Sequence, residues 1–335
     1  MSANISPSLE INTNVGCSNA CVYCPQRIVV HNYNLRKGQS SRMMELEFFK
    51  ATLEKVPRDV HIVFSGMSEP WLNPACTEMV LYAHNNGFNL SVYTTLVGMT
   101  IKDIRRIEYV PFRDFVVHLP DDDGHTQIPY DEEHVEKIGK LQESQIRNVR
   151  FVVFGSLHRV IKPIVKNHVA QRTIISRAGN VEKKDVAALL PKTSFRSNNL
   201  KSGRIVCGRS TGNVLRNNAL LPDGHVTLCC MDYGLEHVLG NLLTDSYTCL
   251  FQSKEYRRVK EGQLANSGPS ILCRTCSDAV RDNTISKCTY WLKNQIVGAL
   301  SKRSPRFLGG LKHVGLIFQQ VKKMLCTYVG SKACR

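Results

Sequence analysis

Residues 17–24 read Cys17-Ser-Asn-Ala-Cys21-Val-Tyr-Cys24 and directly follow a short segment, Leu9–Asn14, that predicts a first β-strand. Three thiolates this close together on one loop can bind three corners of a cubane iron–sulfur cluster. The fourth corner would then have no protein ligand, just as a catalytic zinc site keeps one position open. Spacing alone also allows three unrelated thiols, or a zinc site completed by His31.

Beyond this loop, short β-rich segments alternate with helical patterns. The further predicted strands are Val60–Ser65, Leu90–Thr95, Asp114–His118, Val149–Phe154 and Thr173–Ser176. Apolar residues at three-to-four spacing predict helices over Met44–Val56, Pro74–Asn86, Thr100–Ile107, Asp131–Ser144 and His158–Val169. Asn73 before Pro74 is typical of a helix start. This alternation predicts an α/β fold with a parallel sheet, forming an open or closed β/α barrel.

The pattern changes after about residue 180, where strong alternation ends. Ala219–Cys229 predicts a β-hairpin with Asp223-Gly224 as its turn. We therefore expect a domain boundary near Asn180–Asn199. The predicted units are a core barrel over residues 1–185, a cysteine-containing domain over 186–290 and a tail over 291–335.

Composition narrows the class of protein. The chain has 335 residues, thirteen cysteines and a formal charge of +16, which suggests an anionic partner without identifying it. The sequence has no run of about 18 apolar residues, so it predicts no transmembrane helix. The first residues lack the basic-then-apolar layout of a signal peptide, so we expect a cytoplasmic protein. In that reducing compartment, grouped cysteines more often bind metal or do chemistry than form disulfides.

The tail is strongly basic. From Arg281 onward there are eleven basic residues and one acidic residue, Asp282. Gly310–Met324 has helical periodicity, with apolar residues on one face and lysines off it. Two interpretations are open, a helix packed on the barrel or peripheral contact with an anionic membrane. Nucleic-acid binding is not expected, because no aromatic pattern of a stacking platform is present.

The motifs resemble those of a known family. The CxxxCxxC spacing, with an aromatic residue, Tyr23, before the last cysteine, resembles the signature of the radical S-adenosylmethionine (SAM) superfamily. The resemblance covers roughly residues 8–180 and implies a partial (β/α)6 barrel. In this family the three cysteines hold a 4Fe–4S cluster that binds SAM.

The resemblance extends to further cofactor-binding residues. Phe64–Pro70 is similar to the segment that binds the amino group of SAM, with Gly66, Ser68 and Glu69 as candidate contacts, although Ser68 stands where a glycine is usual. Thr94 and Thr95 stand where ribose and carboxylate contacts normally lie. Val149–Gly155, which includes Arg150, resembles the late strand that packs against the adenine. The cysteine loop, Glu69 and both threonines follow predicted strands, and barrel enzymes assemble their sites at that edge.

A second cysteine group occurs in the C-terminal half. Its candidate ligands are four thiols, enough to saturate one metal centre, and the Cys-x2-Cys pair among them fits zinc as well as iron–sulfur: Cys207, Cys229, Cys273 and Cys276. The stretch resembles the SPASM/twitch modules of many radical SAM enzymes, a β-hairpin plus helices. Asp282 occupies the place of the last cysteine of the full SPASM pattern. The resemblance therefore implies one auxiliary 4Fe–4S cluster, with Cys288 as a doubtful extra ligand.

Cys230 is a spare thiol beside a predicted ligand. Strand alternation points it away from Cys229. In some epimerases of the family a cysteine returns a hydrogen atom to the substrate radical, although a buried structural thiol is the simpler interpretation. His118, Asp121–Asp123, Arg177 and Arg209 are further, weaker candidates for contact with substrate.

The resemblance implies reductive cleavage of SAM to a 5′-deoxyadenosyl radical, fed by a flavodoxin- or ferredoxin-type electron donor. The radical then removes a hydrogen atom from the substrate, leading to oxidation or epimerisation. Twitch-bearing relatives act on carbohydrate-like substrates, and no leader-peptide domain precedes the barrel, so we expect a carbohydrate- or aminoglycoside-like small molecule. The alternatives are a peptide- or protein-modifying enzyme and a non-catalytic metal-cluster binding protein.

Overall fold

The fold was obtained as a computed structural model, which describes residues 7–37, 42–189, 194–196, 200–209, 217–266 and 270–282. The basic segment Gly310–Met324 and Cys288 lie outside the described residues. No helix within the described ranges is long and apolar enough to cross a membrane.

The strands are β1 (Ser8–Ile11), β2 (His61–Phe64), β3 (Leu90–Thr94), β4 (Asp114–His118), β5 (Val149–Phe154), β6 (Val169–Gln171), β7 (Thr173–Ile175), β8 (Ser194–Arg196), β9 (Ile205–Cys207), β10 (Asn218–Leu220), β11 (His225–Thr227), β12 (Val238–Asn241) and β13 (Ala279–Arg281). The helices are α1 (Gln26–Lys37), α2 (Leu46–Leu53), α3 (Cys76–Asn85), α4 (Ile101–Ile107), α5 (Glu132–Glu143), α6 (Tyr247–Leu250) and α7 (Lys254–Leu264).

One nine-stranded sheet organises the chain, in the order β12-β11-β10-β1-β2-β3-β4-β5-β6. Strands β1 to β6 are parallel, as expected from the strand–helix alternation. Strand β10 joins them parallel to β1, and the hairpin of β10 and β11 then extends the sheet in antiparallel fashion. The predicted fold class is therefore confirmed, an α/β fold whose described strands form an open sheet.

The two faces of the parallel sheet differ in polarity. One face packs under the helices and consists of buried apolar residues such as Ile11, Phe64 and Val92. The other face carries Glu10, which is in register with Val63, Ser91 and then Asp114 on successive strands. Parallel sheets buried on both faces read as continuous apolar runs. The alternation in β1, β3 and β4 therefore marks a polar concave face.

One predicted helix is wrong, and one predicted strand forms but joins a different sheet. No helix forms over His158–Val169, because Pro163 has no N–H to donate and only isolated turns close there, such as Lys162 N to His158 O at 3.0 Å. The sixth strand of the large sheet is β6, whereas Thr173–Ile175 forms β7 and pairs with β8 in a separate sheet.

Helix α3 begins at Cys76 rather than at Pro74. The amide oxygen of Asn73 accepts a hydrogen bond from the Ala75 N–H, and the Asn73 amide group donates to Thr13 and Met44 carbonyls. Asn73 therefore ties the loop after β1 to the segments before α2 and α3. Helices α1, α6 and α7 were not predicted.

Candidate active site and auxiliary cluster cavity

The cysteine loop is fixed by contacts with two neighbouring strand ends. The Asn19 side-chain amide donates to the Thr95 hydroxyl at 2.9 Å, and the Val22 N–H donates to the His125 carbonyl at 3.0 Å. Cys17, Cys21 and Cys24 are each partly exposed. The loop therefore presents its thiols at the carboxyl edge of the sheet, where the sequence places them.

The three thiols lie close enough to act on one another. Burial, together with the smaller effects of the neighbouring Cys24 and Cys17, raises the pKa of Cys21 to about 12. Burial likewise raises the pKa of Cys17. Three thiolates in one place need a positive centre to offset their charge, and an iron–sulfur cluster supplies one. His31, the residue that could have completed a zinc site, is exposed on α1.

Glu69 is the buried acid at this edge. One carboxylate oxygen accepts from the Thr94 hydroxyl at 2.7 Å, and the other accepts from the Thr95 N–H at 2.6 Å and the Thr95 hydroxyl at 2.8 Å. Burial raises the pKa of Glu69, while these hydrogen bonds oppose that rise. The Glu69 N–H also donates to the Cys17 thiol. The structure therefore joins Glu69, both threonines and the cysteine loop in one site.

Gly66 and Ser68 shape the chain before Glu69. Gly66 has φ +110°, and a Cβ there would lie 2.3 Å from the Asn12 side-chain oxygen, which accepts the Met67 N–H at 2.6 Å. Glycine is therefore required at residue 66. The Ser68 hydroxyl donates to the Asn14 carbonyl at 2.7 Å. Serine in place of the usual glycine is thus accommodated by turning its hydroxyl onto the loop after β1.

Tyr23 and Arg150 occupy different places. The Tyr23 ring stacks on Phe154 at the end of β5, with centroids 4.1 Å apart, beside the cysteines. Arg150 lies at the start of β5 and pairs with Asp114 at 2.8 Å. Because strand starts lie at the opposite edge of a parallel sheet, the structure does not bring Arg150 together with the other predicted SAM-binding residues. Arg150 belongs to the concave face instead.

The second cysteine group lines a single cavity. Cys207, Cys229, Cys273 and Cys276 share its wall with Leu228, Leu272 and Ala279, around a cavity of about 30 Å³. Burial raises the pKa of Cys207 to about 11 and that of Cys273 to about 12. Four thiols around this cavity, two of them buried and two half-buried, fit a protein-ligated cluster. In the described ranges, no group of three His, Cys, Asp or Glu side chains has the close arrangement that would hold a single metal ion.

The cavity wall is braced by polar side chains. Gln263 donates to the Cys273 sulfur at 3.3 Å, and the Asp278 N–H donates to the Cys276 sulfur at 3.4 Å. The buried guanidinium of Arg274 donates to four backbone carbonyls, including those of Lys201 and Ala265. Asp282 pairs with Arg204 at 3.7 Å next to β13 and is not part of the cavity wall.

Cys230 points away from this cavity, as strand alternation predicts. Its thiol hydrogen-bonds the carboxyl group of Glu10, and Arg209 and Arg177 act on it electrostatically. Cys230 therefore contacts polar groups of the concave face while also packing against the edge of the apolar core. Sequence reasoning missed Glu10, although Ser8 and Glu10 alternate with Leu9 and Ile11 along β1.

The structure places the remaining candidates on the concave face, in a loop and in an ion pair. His118 lies on the concave face, and burial lowers its pKa to about 4. Asp121 turns its carboxylate onto its own loop, where it accepts from the N–H groups of Asp123, His125 and Thr126. Asp121 therefore shapes the loop that hydrogen-bonds Val22. Arg209 pairs with Asp278 at 2.7 Å.

Comparisons with known proteins agree with this architecture. The sequence profile of the Radical SAM superfamily matches residues 11–159, and that of SPASM, an iron–sulfur cluster-binding domain, matches residues 212–277. A search of curated proteins found no match.

Three solved structures have similar folds. BtrN in complex with AdoMet and 2-DOIA is 14% identical, with a TM-score of 0.51 over 85% of this chain and 96% of that chain. SuiB of Streptococcus suis bound to precursor peptide SuiA is 10% identical, with a TM-score of 0.51 over 81% and 70%. The anSMEcpe enzyme with bound AdoMet is 12% identical, with a TM-score of 0.50 over 94% and 99%. Identities this low establish the fold alone.

Proposed function

This chain belongs to the radical SAM superfamily and carries a SPASM domain, and from that premise we propose that it epimerises or oxidises a carbohydrate- or aminoglycoside-like small molecule. SAM, a 4Fe–4S cluster on Cys17, Cys21 and Cys24, and an auxiliary cluster are its cofactors. When bound, SAM and the first cluster supply a carbon-centred radical that removes a hydrogen atom from an unactivated C–H bond.

The polar concave face carries the proposal. Tyr93 on β3 interacts electrostatically with Glu10, Asp114 and Arg150 on β1, β4 and β5, and Arg150 pairs with Asp114. Tyr93 is 37% exposed on this face of the sheet. A face with carboxyl, phenol and guanidinium groups suits a substrate with many hydroxyl or amino groups, because each buried polar group needs a partner.

The residues at the carboxyl edge orient the cofactor. Glu69 is held by Thr94 and Thr95 with its carboxylate fixed, ready to accept from the amino group of SAM. Cys17 lies directly beside Glu69, so amino-group recognition and the cluster share one wall. The Tyr23–Phe154 stack covers the end of β5 and excludes water from that side.

Cys230 supports epimerisation. Its thiol lies on the concave face beside Glu10, where it can give a hydrogen atom to a substrate radical. The S–H bond breaks, the substrate C–H bond forms, and a sulfur radical stays on Cys230. One electron from a flavodoxin- or ferredoxin-type donor and one proton from solvent then restore the thiol.

Oxidation is the second outcome that this site could support. The substrate radical would then lose one electron to the auxiliary cluster and one proton to a base. The four thiols that line the auxiliary cavity favour an electron carrier at that place, since a fully ligated cluster has no free iron for substrate. Peptide modification remains a third outcome, and the similarity to SuiB, which was solved with a peptide, is the observation that keeps it open.

Reaction in heavy water separates these outcomes. Reconstituted protein is incubated anaerobically with SAM, dithionite and, in turn, neamine, 2-deoxystreptamine and a synthetic ten-residue peptide. Epimerisation predicts one carbon-bound deuterium in a product of the starting redox state, and Cys230→Ala abolishes it. Cys249→Ala, which removes an exposed thiol on α6, is the matched control. An oxidised sugar product without deuterium would show that the reaction is dehydrogenation and not epimerisation. Turnover of the peptide alone would overturn the small-molecule proposal.

A further inference from the structure

Arg177 stands on an unusual turn. Arg177 has φ 47° and Ala178 has φ 56°, so two consecutive residues with side chains adopt the left-handed conformation. This conformation is unfavourable for residues other than glycine and persists only where the surroundings enforce it. Such backbone strain occurs preferentially where a side chain must be aimed.

Hydrogen bonds from three directions hold the turn. The Val181 N–H donates to the Ser176 carbonyl at 2.9 Å, and the Asn180 side chain donates to the Arg177 carbonyl at 2.8 Å and the Met231 carbonyl at 3.2 Å. The Thr275 hydroxyl donates to the Ala178 carbonyl at 2.8 Å. Thr275 lies between the auxiliary ligands Cys273 and Cys276, so the auxiliary site braces the turn directly.

The turn that carries Arg177 lies against the first cysteine loop, because Ile174 and Val181 on either side of it pack with Tyr23 and Cys21 in one apolar cluster. The groups that act on Arg177 most strongly are Tyr233, Cys24, Cys230 and Tyr23, and Arg177 also acts on the carboxyl group of Glu10. It also acts on Cys21. Arg150 and Arg209, by contrast, pair with Asp114 and Asp278 at 2.8 and 2.7 Å. The thiolates that hold a cluster carry negative charge, and a guanidinium beside them is attracted to that charge.

Tyr233 completes this arrangement. Its ring is buried, and its hydroxyl lies 3.7 Å from the Cys24 sulfur. Tyr233 and Cys24 therefore share the side of the loop on which Arg177 acts.

From the strained turn and its position against the cysteine loop we propose that Arg177 is a positioning residue whose charge offsets that of the SAM-binding cluster and raises its reduction potential. Reduction adds a negative charge to a thiolate-ligated cluster, and a nearby positive charge stabilises the reduced state more than the oxidised state. Because the Thr275 hydroxyl donates to the Ala178 carbonyl, the position of the Arg177 charge depends on the auxiliary site. The role of Arg177 is independent of the identity of the substrate.

Redox titration of the full-length, two-cluster protein tests this role. The signal of the SAM-binding cluster is identified in electron paramagnetic resonance spectra by its change on adding SAM. Arg177→Gln should shift its midpoint potential to a more negative value, and Arg177→Lys should restore most of the wild-type value. Thr275→Val, which keeps the charge but removes one brace, should shift the potential in the same direction by less.

Arg209→Gln is the matched control. Arg209 acts electrostatically on Cys207 and Cys276, so its loss should move the potential of the auxiliary cluster and leave that of the SAM-binding cluster unchanged. An unshifted SAM-cluster potential in Arg177→Gln would overturn the proposal. If Arg177→Gln fails to bind iron, the test rests on Thr275→Val. An unshifted potential of the SAM-binding cluster in Thr275→Val would then overturn the proposal. Failure of SAM to alter the wild-type spectrum would instead overturn the radical SAM function itself.

Discussion

Glu69 and Thr95 are joined by two hydrogen bonds, one from the Thr95 N–H at 2.6 Å and one from its hydroxyl at 2.8 Å. The same hydroxyl accepts from Asn19, which lies between Cys17 and Cys21. A single side chain therefore links the acid that faces the cofactor to the loop that holds the cluster. SAM affinity should depend on this hydroxyl.

Thr95→Val should weaken SAM binding about 10- to 100-fold, because a hydrogen bond to a buried carboxylate contributes about 1.5–3 kcal/mol. Thr95→Ser keeps the hydroxyl and should bind SAM nearly as well as the wild type. Equilibrium binding to the reconstituted, unreduced protein measures both. Equal affinities in the valine and serine variants would show that the hydroxyl does not position Glu69.

Gly66→Ala should destabilise the protein by about 3 kcal/mol, since both the positive φ and the contact with Asn12 are unfavourable to a Cβ. Gly87 has φ +78° but nothing within 4 Å of a Cβ, so Gly87→Ala carries the backbone cost alone. It should lose only about 1 kcal/mol. Urea unfolding of the two variants checks the difference, and equal losses would contradict the close approach at Asn12.

Folding stability should fall as pH drops from about 6.5 to about 4. Burial, assisted by Arg113, lowers the pKa of His61 to about 4 from its ordinary value of 6.5. In this pH window His61 binds a proton in the unfolded chain but stays neutral in the folded chain, so protonation favours unfolding. His61→Gln removes the titration, and the wild-type loss relative to this variant should reach at most about 3 kcal/mol. If the free energies of unfolding of the wild type and of His61→Gln change equally across this pH window, the lowered pKa of His61 would be contradicted.

The auxiliary cavity should bind a cluster of its own. Replacing both Cys273 and Cys276 by alanine should lower the iron content from about eight to about four per chain, because one of two cubane sites is left with only two thiols. Cys249→Ala, at an exposed position, should leave the iron content unchanged. Iron analysis after anaerobic reconstitution distinguishes the variants. Eight irons in the variant that lacks Cys273 and Cys276 would mean that these thiols hold no cluster.

Local motifs predicted the cluster loop, Glu69, Thr94 and Thr95, because each lies on or next to a strand whose pattern is visible in the sequence. The auxiliary thiols were predicted from their spacing and from the resemblance to SPASM/twitch modules. The same patterns predicted five strands of the large sheet and helices α2, α3, α4 and α5. Helical spacing over 158–169 misled, since periodicity does not register the missing N–H of Pro163.

The residues that sequence reasoning missed or underrated depend on long-range contacts. Glu10 meets Cys230 only because β10 lies beside β1, more than two hundred residues away in the chain. Arg177 was a weak candidate, because its importance arises from a left-handed turn that Asn180 and Thr275 enforce. Arg150 was grouped with SAM contacts from its strand, but its position at the strand start places it at the opposite edge.

The most direct test is reductive cleavage of SAM by the purified, reconstituted protein. With dithionite and SAM under strict anaerobiosis, the wild type should release 5′-deoxyadenosine, and a variant with Cys17, Cys21 and Cys24 all replaced by alanine should release none. Release of no 5′-deoxyadenosine by a wild-type protein that carries its full iron content would contradict an open iron site at this loop.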